Sequence, residues 1–173
     1  MVKTSKDKIA LAFTTCVALV NMWAVFNLLE TIPSWVLQLN AWEIIGGISY
    51  TLTFALIESI FLFVLVIFVN FIVPKQFFAE KFILNSTILA LLIFIWAILV
   101  QKNYDSIISS DGKSILFLFS IILLSIVIVI IVANRIRNLE VIISAIVNRV
   151  VVLAVIYLML DTLGILIVII RNL

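Results

Sequence analysis

Residues 115–133 have the sequence ILFLFSIILLSIVIVIIVA, in which every residue except Ser120 and Ser125 is apolar. A helix of this composition is hydrophobic on all sides and has no polar face to turn toward water. About 20 helical residues, at 1.5 Å each, cross a hydrocarbon core of about 30 Å. The stretch therefore predicts a transmembrane helix.

Four further segments have the same character, at residues 9–29, 44–73, 82–100 and 150–170. The whole chain is 66% hydrophobic and 12% charged, whereas a soluble domain has about 25% charged residues. Strands of a membrane β-barrel would be short segments of about ten residues with alternating hydrophobicity. We therefore predict an all-α fold, a bundle of five transmembrane helices. Because no gap between the spans exceeds about 16 residues, we expect one transmembrane domain over residues 1–173, without a soluble domain.

The distribution of basic residues predicts the orientation, because cytoplasmic loops are enriched in lysine and arginine. If all five segments cross, three basic residues fall on one side, namely Lys102, Lys113 and Arg171. Eight fall on the other side, namely Lys3, Lys6, Lys8, Lys75, Lys81, Arg135, Arg137 and Arg149. We therefore expect a multi-pass protein of the cell membrane with a cytoplasmic N-terminus and an extracytoplasmic C-terminus.

Two of the gaps have features of their own. Residues 33–42 are predicted to form a short interfacial helix or an ordered loop, with Pro33 in the first turn. Trp35 and Trp42 would then anchor at headgroup level, where indole rings are favoured, and the Gly46-Gly47 pair is a place to bend. Residues 135–149 are predicted to form either a membrane-surface helix or a cytoplasmic extension of the fifth helix, and we favour the extension.

Two carboxylates lie in the middle of predicted spans, Glu58 in the second and Asp161 in the fifth. A charged side chain at this depth costs at least about 2.5 kcal/mol, so each acid needs a physical explanation. The five spans contain no lysine, arginine or histidine to neutralise them. We predict an intramembrane polar site formed by Glu58 and Asp161 with Asn21 and Tyr157.

Three explanations for the acids stay open at this stage. Each acid can be protonated and donate a hydrogen bond that holds two helices together. Both can face a wet cavity and bind a proton or a cation. Alternatively, they can pair with a basic or hydrogen-bonding group from another protein.

The sequence excludes several kinds of chemistry. It contains no histidine and a single cysteine, Cys16, so a His-based metal site or a Cys-based redox relay cannot form. No glycine-rich phosphate-binding loop is present. Asn85-Ser86-Thr87 fits the glycosylation pattern, but it lies at the predicted cytoplasmic entrance of the third span. We expect no catalytic residues, no metal, no cofactor and no nucleic-acid partner.

These features favour a non-enzymatic accessory subunit or anchor that acts in an oligomeric membrane complex. Its expected partners are the lipid bilayer and other membrane-protein subunits. The alternative is a component of a proton- or cation-coupled transporter or channel that uses the mid-membrane carboxylates.

Overall fold

The computed structural model describes residues 5–72, 81–104, 107, 112–136 and 139–173. Within these ranges the chain forms five long helices, and each of them is long and apolar enough to cross a membrane. The helices are α1 (Ser5–Gln38), α2 (Ala41–Ile72), α3 (Phe82–Lys102), α4 (Gly112–Arg135) and α5 (Leu139–Asn172).

Each predicted span lies in one of these helices, except for Val73 at the end of the second span, which is outside the described residues. Lys3, Lys75 and Arg137, three of the residues that determine the predicted orientation, are also outside them. The sequence prediction of long apolar helices is confirmed for the described chain.

The prediction for residues 33–42 is wrong. Instead of ending before Pro33, α1 continues through it to Gln38, and its 34 residues correspond to about 51 Å. Pro33 has no N–H and removes one bond of the helical ladder. The hydroxyls of Thr31 and Ser34 nearby donate to the carbonyls of Asn27 and Thr31, at 2.9 and 2.7 Å. A single missing bond close to the helix end did not stop the helix.

A capping box ends the turn between α1 and α2. Asn40 Oδ1 accepts a hydrogen bond from the Glu43 N–H at 2.9 Å, and Glu43 Oε2 accepts one from the Asn40 N–H at 2.9 Å. This reciprocal pair satisfies two backbone donors at the start of a helix. It explains why α2 begins at Ala41 rather than at the apolar residue Ile44.

The Gly46-Gly47 pair does not interrupt α2, which is continuous from Ala41 to Ile72. Gly47 instead allows a close approach, because a Cβ at this position would lie 2.9 Å from Cζ3 of Trp35. The glycine thus lets the Trp35 ring of α1 lie directly on the backbone of α2.

The fifth helix extends well beyond its predicted span. It begins at Leu139 and runs without a break to Asn172, a length of 34 residues. Residues 139–149 are therefore a continuation of the helix rather than a separate surface helix.

The helices divide into two compact units, residues 1–65 with 145–173 and residues 66–144. In the first unit, Val17 and Ala18 of α1 pack against Ala154 of α5. The rings of Phe13 and Phe63 meet edge to face, with their centroids 5.2 Å apart. This unit therefore joins α1, most of α2 and most of α5.

In the second unit, α3 packs against α4. Leu84 and Ile88 of α3 form a buried cluster with Ala133 of α4. Farther along the same helices, Trp96 Nε1 donates a hydrogen bond to Ser125 Oγ at 2.9 Å.

Much of the apolar surface remains exposed. In α4, the most apolar stretch contains no buried residue, whereas half of the corresponding stretch in α1 is buried. Isolated exposed hydrophobic residues are ordinary in soluble proteins, but a contiguous apolar helix surface is not. A lipid environment accounts for this surface.

The tightest contact in the first unit generates a prediction. A Cβ added at Gly164 of α5 would lie 3.1 Å from both the Leu52 Cβ and the Ser49 carbonyl oxygen of α2. We expect Gly164→Leu to lower the free energy of unfolding by about 1–3 kcal/mol, because it overpacks this contact. Unfolding in detergent micelles, followed by circular dichroism, measures the change.

Gly47→Ala is the control for this prediction. Its added methyl meets only the outer edge of the Trp35 ring, which can rotate away, and alanine has a higher helix propensity than glycine. We expect a smaller effect than at Gly164. Equal stability of Gly164→Leu and the unmodified protein would contradict the close packing of α5 on α2.

Candidate functional site

The structure brings together two of the four residues of the predicted polar site, Asn21 on α1 and Asp161 on α5. Both side chains are fully buried. Asn21 Nδ2 donates a hydrogen bond to Asp161 Oδ2 at 3.2 Å and another to the Val17 carbonyl oxygen at 3.2 Å. This bond joins residues that are 140 positions apart in the sequence.

Small residues on α5 permit this approach. Ala154, Asp161 and Gly164 are buried and share one face of the helix, at steps of seven and three residues. Ala154 contacts α1, and Gly164 lies against Ser49 and Leu52 of α2. The buried carboxyl group therefore lies on the α5 face that packs on both neighbouring helices.

The polar pair is not fully hydrogen-bonded by the described chain. Both N–H groups of the Asn21 amide have acceptors, but Asn21 Oδ1 and Asp161 Oδ1 are buried and accept no hydrogen bond. Within the described residues, these two oxygen acceptors thus lack a donor. A proton on the carboxyl group, a water molecule or a small cation can satisfy such an oxygen, whereas an additional acceptor cannot.

Tyr157 lies close to this pair along α5 but makes no hydrogen bond with it. Its half-buried ring packs against the cluster formed by Val17, Ala18 and Ala154. Tyr157 therefore contributes packing, and the hydrogen bond to Asp161 comes from Asn21.

Glu58 lies in a different environment from Asp161. Its side chain is exposed on α2, and it makes no hydrogen bond or ion pair with the residues that the structure describes. The buried face of α2 is formed instead by Leu52, Ala55, Ser59 and Leu62. Of the two mid-span carboxylates, one is enclosed by helix packing and the other faces outward.

The two tryptophans predicted as anchors lie near the turn between α1 and α2. Trp35 is half-buried against Gly47, whereas Trp42 is exposed. The Trp42 carbonyl oxygen accepts a hydrogen bond from Arg171 Nη1 at 3.2 Å, and the guanidinium group occupies the space that a Cβ of Gly46 would need. The end of α5 is thereby attached to the start of α2. The position of Trp35 and Trp42 at a membrane interface stays a prediction.

Sequence reasoning missed a second polar cluster, in the unit of residues 66–144. Asn134 of α4 donates a hydrogen bond from Nδ2 to Oδ1 of Asn85 at 2.9 Å, and Asn70 of α2 donates to Ser86 Oγ at 3.3 Å. Asn85, Ser86 and Thr87 are all buried. The available signal is the run of three polar residues at the start of an apolar span, which in the sequence alone also fits a glycosylation pattern.

A lysine stabilises the end of α4 in the same unit. Lys81 Nζ donates a hydrogen bond to the Asn134 carbonyl oxygen at 2.9 Å. A positive charge at a helix C-terminus interacts favourably with the free carbonyl groups and with the helix dipole. This basic residue, predicted from its position as a topology signal, also has a structural contact.

Other types of site find no support in the described chain. Within these residues, no group of three or more His, Cys, Asp or Glu side chains could hold a metal ion. Cys16, the single cysteine, is buried.

No protein-family model, no curated protein and no solved structure matches the chain.

The Asn21–Asp161 pair generates a prediction about stability. In a double-mutant cycle of Asn21→Leu and Asp161→Leu, we expect a coupling energy of about 0.6–1.7 kcal/mol, the range from the average to the largest value for hydrogen bonds between membrane helices. The coupling arises because either single change leaves the other buried polar group without its partner. Reversible unfolding of the four proteins in micelles provides the four free energies.

Thr162→Val is the matched control for the cycle. Thr162 neighbours Asp161 in the sequence, but it is exposed and donates only to the Met159 carbonyl oxygen, at 2.7 Å. Combined with Asn21→Leu, it should show coupling close to zero. Additive effects of Asn21→Leu and Asp161→Leu would mean that the observed bond does not contribute to stability.

Proposed function

We propose that this protein is a non-enzymatic accessory subunit or anchor of an oligomeric membrane complex. The observation that carries this function is the outward-facing carboxylate of Glu58, which has no partner in the described chain. A mid-membrane carboxylate that faces lipid is energetically unfavourable, whereas a polar or basic group of another protein in contact with it would compensate its charge.

The position of Glu58 along α2 supports this role. The nearest charged residues in the sequence are Glu43, 15 residues earlier, and Lys75, 17 residues later. Glu43 carries the same charge as Glu58 and, at 1.5 Å per residue, lies more than about 20 Å away along α2, so it cannot compensate the Glu58 carboxylate. The short glutamate side chain also cannot reach far along the helix toward water, as lysine and arginine do.

The proposed role includes a location and a topology. The protein crosses the cell membrane five times, with its N-terminus in the cytoplasm and its C-terminus outside. The five apolar helices and the eight-to-three division of basic residues support this arrangement. In this topology Glu58 and Asp161, each in the middle of its span, lie at similar depths.

The chemistry of the side chains supports a non-enzymatic role. The sequence contains no histidine, and its single cysteine is buried in α1. The buried hydroxyls of Thr15 and Ser59 donate to carbonyls of their own helices at 2.8 and 2.7 Å. A catalytic site needs a nucleophile, a base and an electrophilic group at one place, and the described residues bring together no such set.

A second candidate function is a proton- or cation-conducting component, and the Asn21–Asp161 pair favours it. Each of its two buried oxygens lacks a donor among the described residues and can act as a cation ligand, and the Asp161 carboxyl group can take up a proton. In this alternative the ion-handling group is Asp161, and Glu58 lies outside the buried site.

The accessory role predicts a complex that depends on Glu58. Tagged full-length protein, extracted from its native membrane in a mild detergent, should elute as a discrete assembly larger than the 19.5 kDa monomer. It should contain other membrane proteins in fixed stoichiometry, identified by mass spectrometry. Glu58→Gln should reduce their recovery several-fold, because it removes the charge that the partner compensates.

Glu30→Gln is the matched control for that complex. It makes the same chemical change at another exposed glutamate, near the predicted end of the first span rather than in the middle of a helix. Its assembly should match that of the unmodified protein. Recovery of a monomer alone, or equal losses from Glu30→Gln and Glu58→Gln, would count against the accessory role.

The second candidate predicts a different outcome for Asp161→Asn. In proteoliposomes, the protein alone should conduct protons or monovalent cations, and Asp161→Asn should abolish this flux, because an amide does not exchange a proton or carry a charge. Folding is checked by the thermal unfolding of the variant. Absence of flux from the unmodified protein, or normal flux from a folded Asp161→Asn variant, excludes this alternative.

A further inference from the structure

We infer that the partner of this protein is a transmembrane helix of a different protein, with a lysine, arginine or histidine at the depth of Glu58. This helix packs lengthwise on the outward face of α2, an inference that rests on the proposed function. We define the outward face as Phe54, Ile57, Phe61 and Val64, together with Glu58 beside them.

The outward face has the spacing of a helix-packing seam. Its four apolar residues follow one another at steps of three, four and three, and each is between 56 and 69% exposed. This spacing repeats every seven residues, as do the a and d positions where two helices pack at a shallow angle. Two large aromatic rings at alternate positions provide most of the apolar surface.

Glu58 lies at a position whose side chain commonly determines which helix packs on such a seam. If Phe54 and Phe61 are a positions, and Ile57 and Val64 are d positions, Glu58 is the e position next to the seam. Side chains at e and g form the ion pairs between helices that determine partner and orientation. Glu58 therefore faces the edge of a docked helix rather than the centre of the seam.

The charge of Glu58 determines the chemistry of the partner. An entirely apolar helix would cover the seam but would leave the carboxylate in an apolar environment without compensation. A basic side chain neutralises the charge and donates hydrogen bonds to both carboxylate oxygens. The described residues of this chain supply no such group to Glu58.

A second copy of this chain does not supply a basic side chain to Glu58. Its predicted spans contain no lysine, arginine or histidine, so it has no basic group at this depth. In a two-fold dimer through the outward face, the e position of one helix faces a g position of the other, which here is the uncharged Thr53. Each Glu58 carboxylate would then lack a positive partner in an apolar environment.

Lipid molecules do not supply a positive charge at the depth of Glu58 either. Their cationic groups lie in the headgroup region, outside a hydrocarbon core about 30 Å thick, and Glu58 lies near the middle of its predicted span. A basic residue on a transmembrane helix is the chemical group that reaches this depth.

Synthetic transmembrane peptides test the chemistry of the partner directly. The probe is a leucine–alanine helix of about 23 residues with one central lysine, and the comparison peptides have leucine, glutamine or glutamate at that position. Full-length protein, labelled at Leu173→Cys and reconstituted in phosphatidylcholine vesicles, reports binding by energy transfer. We expect the lysine peptide to bind at least tenfold more tightly than the leucine peptide.

Two variants test the role of Glu58. Glu58→Gln should reduce the preference for the lysine peptide to less than threefold. Glu58→Lys should reverse it, so that the glutamate peptide binds best. A preference for lysine that persists in both variants would overturn the inference.

The seam has its own matched pair of variants. Phe61→Ala should weaken binding of the lysine peptide at least threefold, because it removes one of the two aromatic rings. Met159→Ala shortens a comparably exposed residue of α5 and should have no effect. Equal effects of the two variants would place the docking surface elsewhere.

The results separate this inference from the proposed function. Equal binding of the glutamine and lysine peptides would show that the partner does not need a basic residue. The accessory role would then stand if the native complex still depends on Glu58. If the lysine peptide binds selectively but no native complex is found, the outward face recognises a basic helix and the accessory role fails.

Discussion

The energetic cost of an unsatisfied polar group in hydrocarbon underlies the arrangement of this protein. No water is available in a bilayer core to bond the backbone, so the chain satisfies its own N–H and C=O groups in long helices. The same constraint acts on the side chains. Thr15, Thr53 and Ser59 donate to the carbonyl groups four residues earlier, at 2.7–2.9 Å, and each hydroxyl is satisfied within its own helix.

Amide and carboxyl groups cannot be satisfied so locally, and they join different helices. An asparagine can place one N–H on its own backbone, but its second N–H and its oxygen need other partners. Asn21 thereby bonds Asp161, Asn134 bonds Asn85, and Asn70 bonds Ser86. Each of the two compact units contains at least one of these bonds. Apolar surfaces alone would not distinguish one helix neighbour from another as clearly, because lipid is equally apolar.

The two mid-span carboxylates are subject to the same energetic cost in hydrocarbon, but they lie in different environments. Asp161 lies beside small residues that allow α1 and α2 to approach, and Asn21 donates to it inside the unit. Glu58 is exposed on α2, with large aromatic residues on the same side. The first acid is enclosed by its own chain. The second has no partner among the described residues, which is why we propose that another protein covers it.

The sequence by itself determined the class of fold and the number of long helices. A long segment that is apolar on every side is stable as a helix surrounded by lipid. The predicted spans of α3 and α4 agree with their helices to within a few residues. The sequence also singled out Asn21 and Asp161, since polar residues are rare in these spans. Helix ends were harder to predict. The Asn40–Glu43 capping box and the continuation through Pro33 depend on local hydrogen bonds that hydropathy does not measure.

Only the tertiary structure decided which side of each helix faces its neighbours. In a soluble protein the alternation of polar and apolar residues marks the inner face, but here nearly every face is apolar and the pattern carries little information. Glu58 and Asp161 were therefore equivalent in the sequence, although one is exposed and the other buried. The Gly47–Trp35 contact and the Asn85–Asn134 bond likewise join residues whose proximity depends on helix rotation. That rotation follows from the packing of small against large side chains and from a few interhelical hydrogen bonds, which exist only once the helices have assembled.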